Sequence, residues 1–297
     1  MAHQIGDVRT RKKFRTTRKK IEMVLMDCKH TPIPRTWDDL LQLKAAQDLQ
    51  GLGIDPLALL SSSPLEQLCF AGHCKPFRRH KDDRMFSMLT KEFHRDAYGL
   101  QEFKQRDGQG VTLDIGGHIG TTALMMHALD GHRIIHSFEP APLNFFYLAW
   151  NAMLHNSTRL RLYYAGLTRD GGSIDIEYSP DDTTSTRRVS LGHSWGTMNK
   201  LVSMSTTWSV GQLQECIDVS ITSLVKLDCE GCEFELLLPM RWLFLQRSVR
   251  VVGEFHQWHL SQPGHRANLS ARVAEMSMRI LCNRNRSFDR IEWLKRC

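Results

Sequence analysis

The chain has 297 residues, 41% of them hydrophobic and 24% charged, and no apolar run reaches the roughly 18 residues of a membrane span. That length allows one large domain or two modest ones, with a core that needs no disulfides. The net charge is +7, but residues 1–20 hold eight Lys/Arg against Asp7, so residues 21–297 sum to zero. The basic character therefore belongs to a tail, which reads as solvated, as a nuclear or organelle address, or as a weak grip on RNA or anionic lipid. The N-terminus lacks the apolar region of a secretory signal. Eight cysteines without regular spacing are expected to be reduced thiols of an intracellular, cytoplasmic protein, with the tail leaving nucleus or organelle open.

Residues 1–35 are expected to form a disordered basic tail and linker, ending in Thr31-Pro32-Ile33-Pro34-Arg35. Residues 36–107 read as a helical accessory region or lid. One helix starts at Thr36, with Asp39 as a capping box, and stops at Gly51 and Gly53. A second is expected to start at Ser63-Pro64-Leu65-Glu66, and a longer one to cover Asp82 to Phe103. Cys28, His30, Cys69, His73, Cys74 and His80 match no zinc spacing, so no metal site is expected.

Residues 108–297 carry the chemistry. The run Val111-Thr112-Leu113 ends in Asp114, and Ile115-Gly116-Gly117-His118-Ile119-Gly120 follows as a glycine turn. Thr121 to Leu129 reads as a helix, and Ile134 to Phe138 as a second strand ending in Glu139. Strand, glycine turn, helix, strand and acid make a nucleotide-binding βαβ unit. A dinucleotide fingerprint needs glycines at i, i+2 and i+5, which would put the first on Ile115 and so fails. Asp-x-Gly-x-x-x-Gly instead resembles motif I of the class I S-adenosylmethionine (SAM) methyltransferases. Glu139, 19 residues past Gly120, stands where a strand-end acid meets ribose hydroxyls.

Pro142 to Asn156 is expected as a core helix, Leu160 to Ala165 as a third strand, and Arg169 to Ser220 as a Ser/Thr/Gly-rich stretch, with a strand at Ser173 to Tyr178, that shapes the acceptor pocket. A buried strand, Ile221 to Leu227, delivers Lys226, Asp228 and Glu230 at its carboxyl end, where ligands of open α/β sheets bind. Glu233 reads as ligand-facing or as a helix cap, and Cys229 and Cys232 as incidental. Another strand, Val249 to Gly253, ends in Glu254 and His256, candidates for acid/base work. Met278 to Cys282 and Ser287 to Trp293 suit a closing antiparallel hairpin. The fold class expected is α/β, with a Rossmann-like, mostly parallel sheet.

Together these stretches resemble the FkbM-type methyltransferases. The resemblance rests on the Asp114–Gly120 turn, Phe138-Glu139-Pro140, the helix closing on Asn151 and Asn156, Lys226-Leu227-Asp228-Cys229-Glu230-Gly231-Cys232-Glu233, and Glu254 with His256. Gly117 and His118 stand where the family usually has Ala-Asn. What the resemblance implies is SAM-dependent methylation of a hydroxyl on a small-molecule or glycan-like acceptor. Asp114, Gly116, Gly117, His118 and Gly120 would hold the methionine end, Glu139 the ribose, and Ala165 and Gly166 the adenine. Asp228 would sit nearest the methyl, with Lys226, Glu230 and His256 positioning or deprotonating the acceptor.

Two other readings stay open. One is a nucleic-acid methyltransferase using the basic tail, disfavoured because Asp228-Cys229-Glu230-Gly231 is acidic and proline-free. The other is a non-catalytic binding protein on a degenerate methyltransferase fold.

Overall fold

The computed structural model describes residues 28–83, 86–87, 90–91, 95–96, 98–101, 110–180, 182–189, 200–244, 246 and 249–253, with only the backbone for 182, 184–188 and 234. Helices α1 (Trp37–Leu41), α2 (Lys44–Gly51) and α3 (Pro56–Ser62) come first, then the hairpin β1 (Leu65–Phe70) and β2 (His73–Arg78). The βαβ unit follows as β3 (Val111–Ile115), α4 (Thr121–Leu129) and β4 (Ile134–Phe138). Next come α5 (Pro142–Leu154) and β5 (Leu160–Tyr163). Then β6 (Gly166–Thr168), β7 (Asp170–Ser179), β8 (Asp182–Arg188) and β9 (Leu201–Ser209) precede α6 (Val210–Cys216). The chain continues through β10 (Thr222–Leu227), α7 (Glu233–Leu236), α8 (Arg241–Phe244) and β11 (Arg250–Gly253).

The principal sheet has the order β11-β10-β3-β4-β5, and every neighbouring pair is parallel. The α/β, Rossmann-like architecture expected from the sequence is therefore present. All five residues of β3 are buried, as a central parallel strand requires. Val111, Leu113 and Ile115 alternate onto one face, where Val225 and Leu227 join them. Eleven of the thirteen residues of α5 are buried, including Phe145, Phe146, Tyr147 and Trp150. A helix apolar on all sides belongs between layers. The buried apolar residues of α5 share a core cluster with Ile135, Leu160 and Leu162 of the sheet, and the helix also packs against α2 and β2. Truncating one such aromatic to alanine costs about 3–5 kcal/mol.

Residues 169–220 contribute most of a second sheet, ordered β6-β9-β7-β8. The sequence signalled one strand there, Ser173 to Tyr178, because alternation is weak along Ser/Thr-rich strands. The closing hairpin expected over residues 278–293 lies outside the described residues.

The accessory region departs from expectation. The helix expected from Ser63-Pro64 is the hairpin β1–β2, whose turn places Ala71 and Gly72 at φ 48° and 83°. The same Pro-at-helix-start signal operates one step earlier: Asp55 caps Leu57 N–H and Pro56 opens α3. The helix predicted from Thr36 to Gly51 breaks into α1 and α2, although the Thr36–Asp39 capping box is present. Over Asp82 to Phe103, helical backbone is seen at 86–87 and 90–91, whereas 95–96 and 98 turn, with Asp96 and Gly99 left-handed, before a short 3-10 stretch at 100–101.

The cysteine expectation is corrected. All six described cysteines are paired: Cys28–Cys216, Cys69–Cys74 and Cys229–Cys232. Spacing could not reveal this, because Cys28 and Cys216 are 188 residues apart and meet only in the fold. Nor are residues 28–35 a loose linker. Cys28 is bonded to the end of α6, and Thr31 N–H donates to Leu162 O at 2.7 Å. Among the described residues no helix is long and apolar enough to cross a membrane, and no cluster of three His, Cys, Asp or Glu is placed to hold a metal.

Candidate active site at the carboxyl end of the sheet

The glycine turn after β3 is stitched to the ends of both neighbouring strands. Gly116 and Gly117 N–H donate to Phe138 O on β4, at 3.0 and 2.8 Å. On the other side, Asp228 N–H donates to Ile115 O at 3.1 Å. Gly116 has φ +85°, and an added Cβ would stand 1.8 Å from Asp228 O. That glycine is required for the approach of the two motif loops, more than for space around a ligand. Gly117 is likewise crowded by Ser137 Oγ, 2.2 Å from an added Cβ. Gly120, at φ +94°, is the N-cap of α4 and gives it no side-chain cap, so the first amides of the helix remain available to an anion.

Lys226 joins the two motifs. It is buried, and its Nζ donates to Gly116 O and, at 3.4 Å, to Asp228 O. It lies 3.5 Å from Asp114 Oδ1 and 3.7 Å from Asp228 Oδ2. Burial alone would push the ammonium down, but Asp228, Asp114 and Glu139 together hold it above its ordinary value. Asp114 is fully buried, and desolvation raises its carboxyl despite Lys226 and the 2.6 Å bond from Ser137 Oγ. Its Oδ1 has no hydrogen bond among the described residues.

Glu139 is buried at the end of β4 and accepts from His118 N–H at 2.8 Å and Ala141 N–H at 2.9 Å. Burial still lifts its carboxyl to about 7. Ala165, just before β6, and Gly166, its first residue, are buried, and an added Cβ on Gly166 would stand 3.6 Å from Pro140 Cβ, beside Glu139. Glu230 and Gly231 are both left-handed, at φ 55° and 114°, in the tight turn after Asp228. Glu233 is buried and caps that turn from within, accepting from Cys229 N–H at 2.9 Å and Gly231 N–H at 2.8 Å. The Cys229–Cys232 disulfide closes the same turn, so these cysteines are part of the site's frame. Glu254 and His256 lie outside the described residues.

Further residues complete the arrangement, and of these only Asn151 was marked in the sequence. Tyr98, from the accessory region, donates to Asp228 Oδ2 at 2.7 Å. Asp83 and Thr183 form a hydrogen-bonded chain to the His118 ring. Asn151 of α5 clamps the hairpin to the motif turn: its Oδ1 accepts from Arg78 N–H at 2.6 Å, and its Nδ2 donates to Arg78 O and Ile119 O at 2.9 Å each. No local pattern marks Tyr98, Asp83 or Thr183, which reach the site through tertiary folding.

A turn of strand ends carrying a buried acid, an uncapped helix start and a Lys–Asp pair is the kind of arrangement that open α/β proteins place at their ligand-binding edge. Residues 114–292, more than half of the chain, match the model of the methyltransferase FkbM domain, and the chain belongs to that family. It is 28% identical over 142 residues to "Methyltransferase 1" of Beauveria bassiana, covering 42% of this chain and 56% of that protein. It is 31% identical over 151 residues to "Hexuronic acid methyltransferase AglP" of Haloferax volcanii, covering 49% and 58%. The chain thus spans somewhat over half the length of these curated relatives. A solved methyltransferase FkbM from Methylobacillus flagellatus KT aligns with 50% of this chain and 34% of its own, at 14% identity and a TM-score of 0.35.

Proposed function

We propose that the protein is a SAM-dependent methyltransferase that methylates a hydroxyl oxygen of a sugar-like acceptor. The observation that carries this reading is the junction of Gly116, Lys226 and Asp228, which places an acid and an ammonium beside a nucleotide-type turn. The residues present fit SAM. The uncapped start of α4 suits the methionine carboxylate, the buried Asp114 carboxyl beside Lys226 suits the α-amino end, and Glu139 suits the ribose hydroxyls. Gly117, His118 and Gly120 would complete the methionine cradle, and Ala165 and Gly166 would flank adenine. Bound SAM supplies an activated methyl group. The chain's residues must align an acceptor lone pair with that methyl and take the acceptor's proton. Asp228, held by Tyr98 and Lys226, would orient the acceptor hydroxyl, with Glu230 at its rim and His256 as a further sequence-based candidate.

A hexuronic acid or a related glycan unit is the acceptor class favoured by the Haloferax relative. The three disulfides favour an oxidising compartment over the cytoplasm. The test is incubation with methyl-labelled SAM and a panel of hexuronic acids and their glycosides, read by mass spectrometry. A labelled methyl ether with release of S-adenosylhomocysteine supports the reading; an unlabelled panel refutes this acceptor class.

A further inference from the structure

His118 occupies the position where the family usually has Asn. Its backbone is left-handed, φ 51°, a conformation that Asn tolerates well and His less often. The substitution therefore keeps the turn and adds an imidazole. The residue as a whole is half-buried, and the surroundings of its ring are built. Its Nε2 lies 2.8 Å from Thr183 Oγ1, and Thr183 Oγ1 lies 2.7 Å from Asp83 Oδ2. Thr183 and Asp83 are both buried, and Asn144 Nδ2 holds the Thr183 carbonyl at 3.0 Å. Three distant segments thus converge on one ring: the accessory region, β8 and the motif turn.

The proton positions follow from chemistry. A carboxylate accepts only, so Thr183 gives its single proton to Asp83. The Thr183 oxygen must then accept from His118, which fixes the proton on Nε2. Neutral His118 is left with Nδ1 as its acceptor nitrogen.

We propose that His118 is the general base of the methyl transfer, with Thr183 and Asp83 as positioning residues that hold its ring and tautomer. This rests on the proposed methyltransferase function. As the acceptor oxygen attacks, the O–C bond forms and the C–S bond breaks, its electron pair staying on sulfur. The hydroxyl proton passes to Nδ1, so the positive charge of the sulfonium ends on the imidazolium. The oxygen becomes strongly acidic only as it gains the methyl, so a weak base suffices. The groups acting on the ring are Asp83 and Asp228, which favour the charged form together with a hydrogen bond to the Thr183 backbone, and Lys226, which opposes it. Burial outweighs the acids and holds the ring down to about 4, so it is neutral, the form a base requires, across the physiological range.

The test uses the full chain with 15N-labelled histidine. His118→Asn restores the family's residue at a left-handed position, so it removes the ring and spares the turn. The ring signals missing from that variant identify His118 among the 14 histidines. Long-range proton–nitrogen spectra should show Nε2 protonated and Nδ1 bare, and Thr183→Val should scramble that preference. With methyl-labelled SAM and the hexuronic acid panel, His118→Asn should lower turnover about 100-fold or more. SAM affinity, measured by calorimetry, should stay within about threefold. Wild-type turnover at saturating SAM should be flat above about pH 5 and fall below it, and the His118→Asn residual rate should lack that fall. A wild-type ring protonated on Nδ1, or an undiminished rate in His118→Asn, overturns the proposal. If the wild type methylates nothing in the panel, the proposed acceptor class fails instead, and the ring tautomer still decides whether the Asp83–Thr183–His118 chain exists.

Discussion

Gly116 and Asp228 are in backbone contact: a Cβ on Gly116 would stand 1.8 Å from the Asp228 carbonyl oxygen. The two motifs, more than a hundred residues apart, touch at this point, and Lys226 Nζ bridges their carbonyls. The cofactor turn and the Asp228 loop therefore form one rigid unit. Gly116→Val should both strain the left-handed backbone and push the loops apart, at a cost of about 2–4 kcal/mol. Urea denaturation measures it, and unchanged stability would contradict the contact.

Asp228→Asn removes the charge held by Tyr98 and Lys226. Turnover should fall about 100-fold or more while SAM affinity is nearly unchanged, the pattern of an interaction made in the transition state. Tyr98→Phe should give a smaller fall of about tenfold, the size expected for one hydrogen bond to a charged group. Steady-state kinetics with calorimetry checks both. Loss of SAM binding in Asp228→Asn with normal turnover at saturation would reverse the assignment.

Glu139 makes a pH prediction. Its folded carboxyl is raised to about 7 from an ordinary value near 4.5. Between those values the folded state holds more proton than the unfolded state, so this group's contribution to stability is present at low pH and declines as pH rises through about 7. SAM's ribose hydroxyls need the ionised form, so affinity should move oppositely and weaken as pH drops below 7. Calorimetry at pH 6 and 8 should show this, and Glu139→Gln should bind weakly at both. Equal affinities of wild type at the two pH values would remove Glu139 from the ribose site.

Much of this was legible in the sequence because the informative signals are local. Asp114, the glycines, Glu139 and the Lys226–Glu233 run are each contiguous, and a parallel strand buried on both faces needs a continuous apolar run. The parts that escaped are long-range. Tyr98, Asp83 and Thr183 become site residues only when three segments fold together, and Cys28 finds Cys216 only in space. Ser63-Pro64 misled because a Pro after Ser marks a helix start or a strand entry equally, and the alternation of Leu68, Phe70 and Phe77 across a tight turn decided for the hairpin. His118 was legible only as a member of the turn that would hold the methionine end, because nothing nearby in sequence announces the partners of its ring.

The disulfides carry their own test. Alkylation without reductant, followed by mass spectrometry, should leave Cys28, Cys69, Cys74, Cys216, Cys229 and Cys232 unmodified in the native chain. Cys28→Ser should cost up to about 5 kcal/mol, since it opens the longest loop. Six freely alkylated thiols would return the protein to the reduced-thiol reading.

The central claim is that the Asp114–Gly120 turn and Glu139 form a SAM site rather than a dinucleotide site. Calorimetric titration of the full chain with SAM and, separately, with NAD tests it most directly. The account predicts saturable SAM binding at one site, lost in Gly116→Val, and no measurable heat from NAD. Tight NAD binding with none for SAM would contradict it.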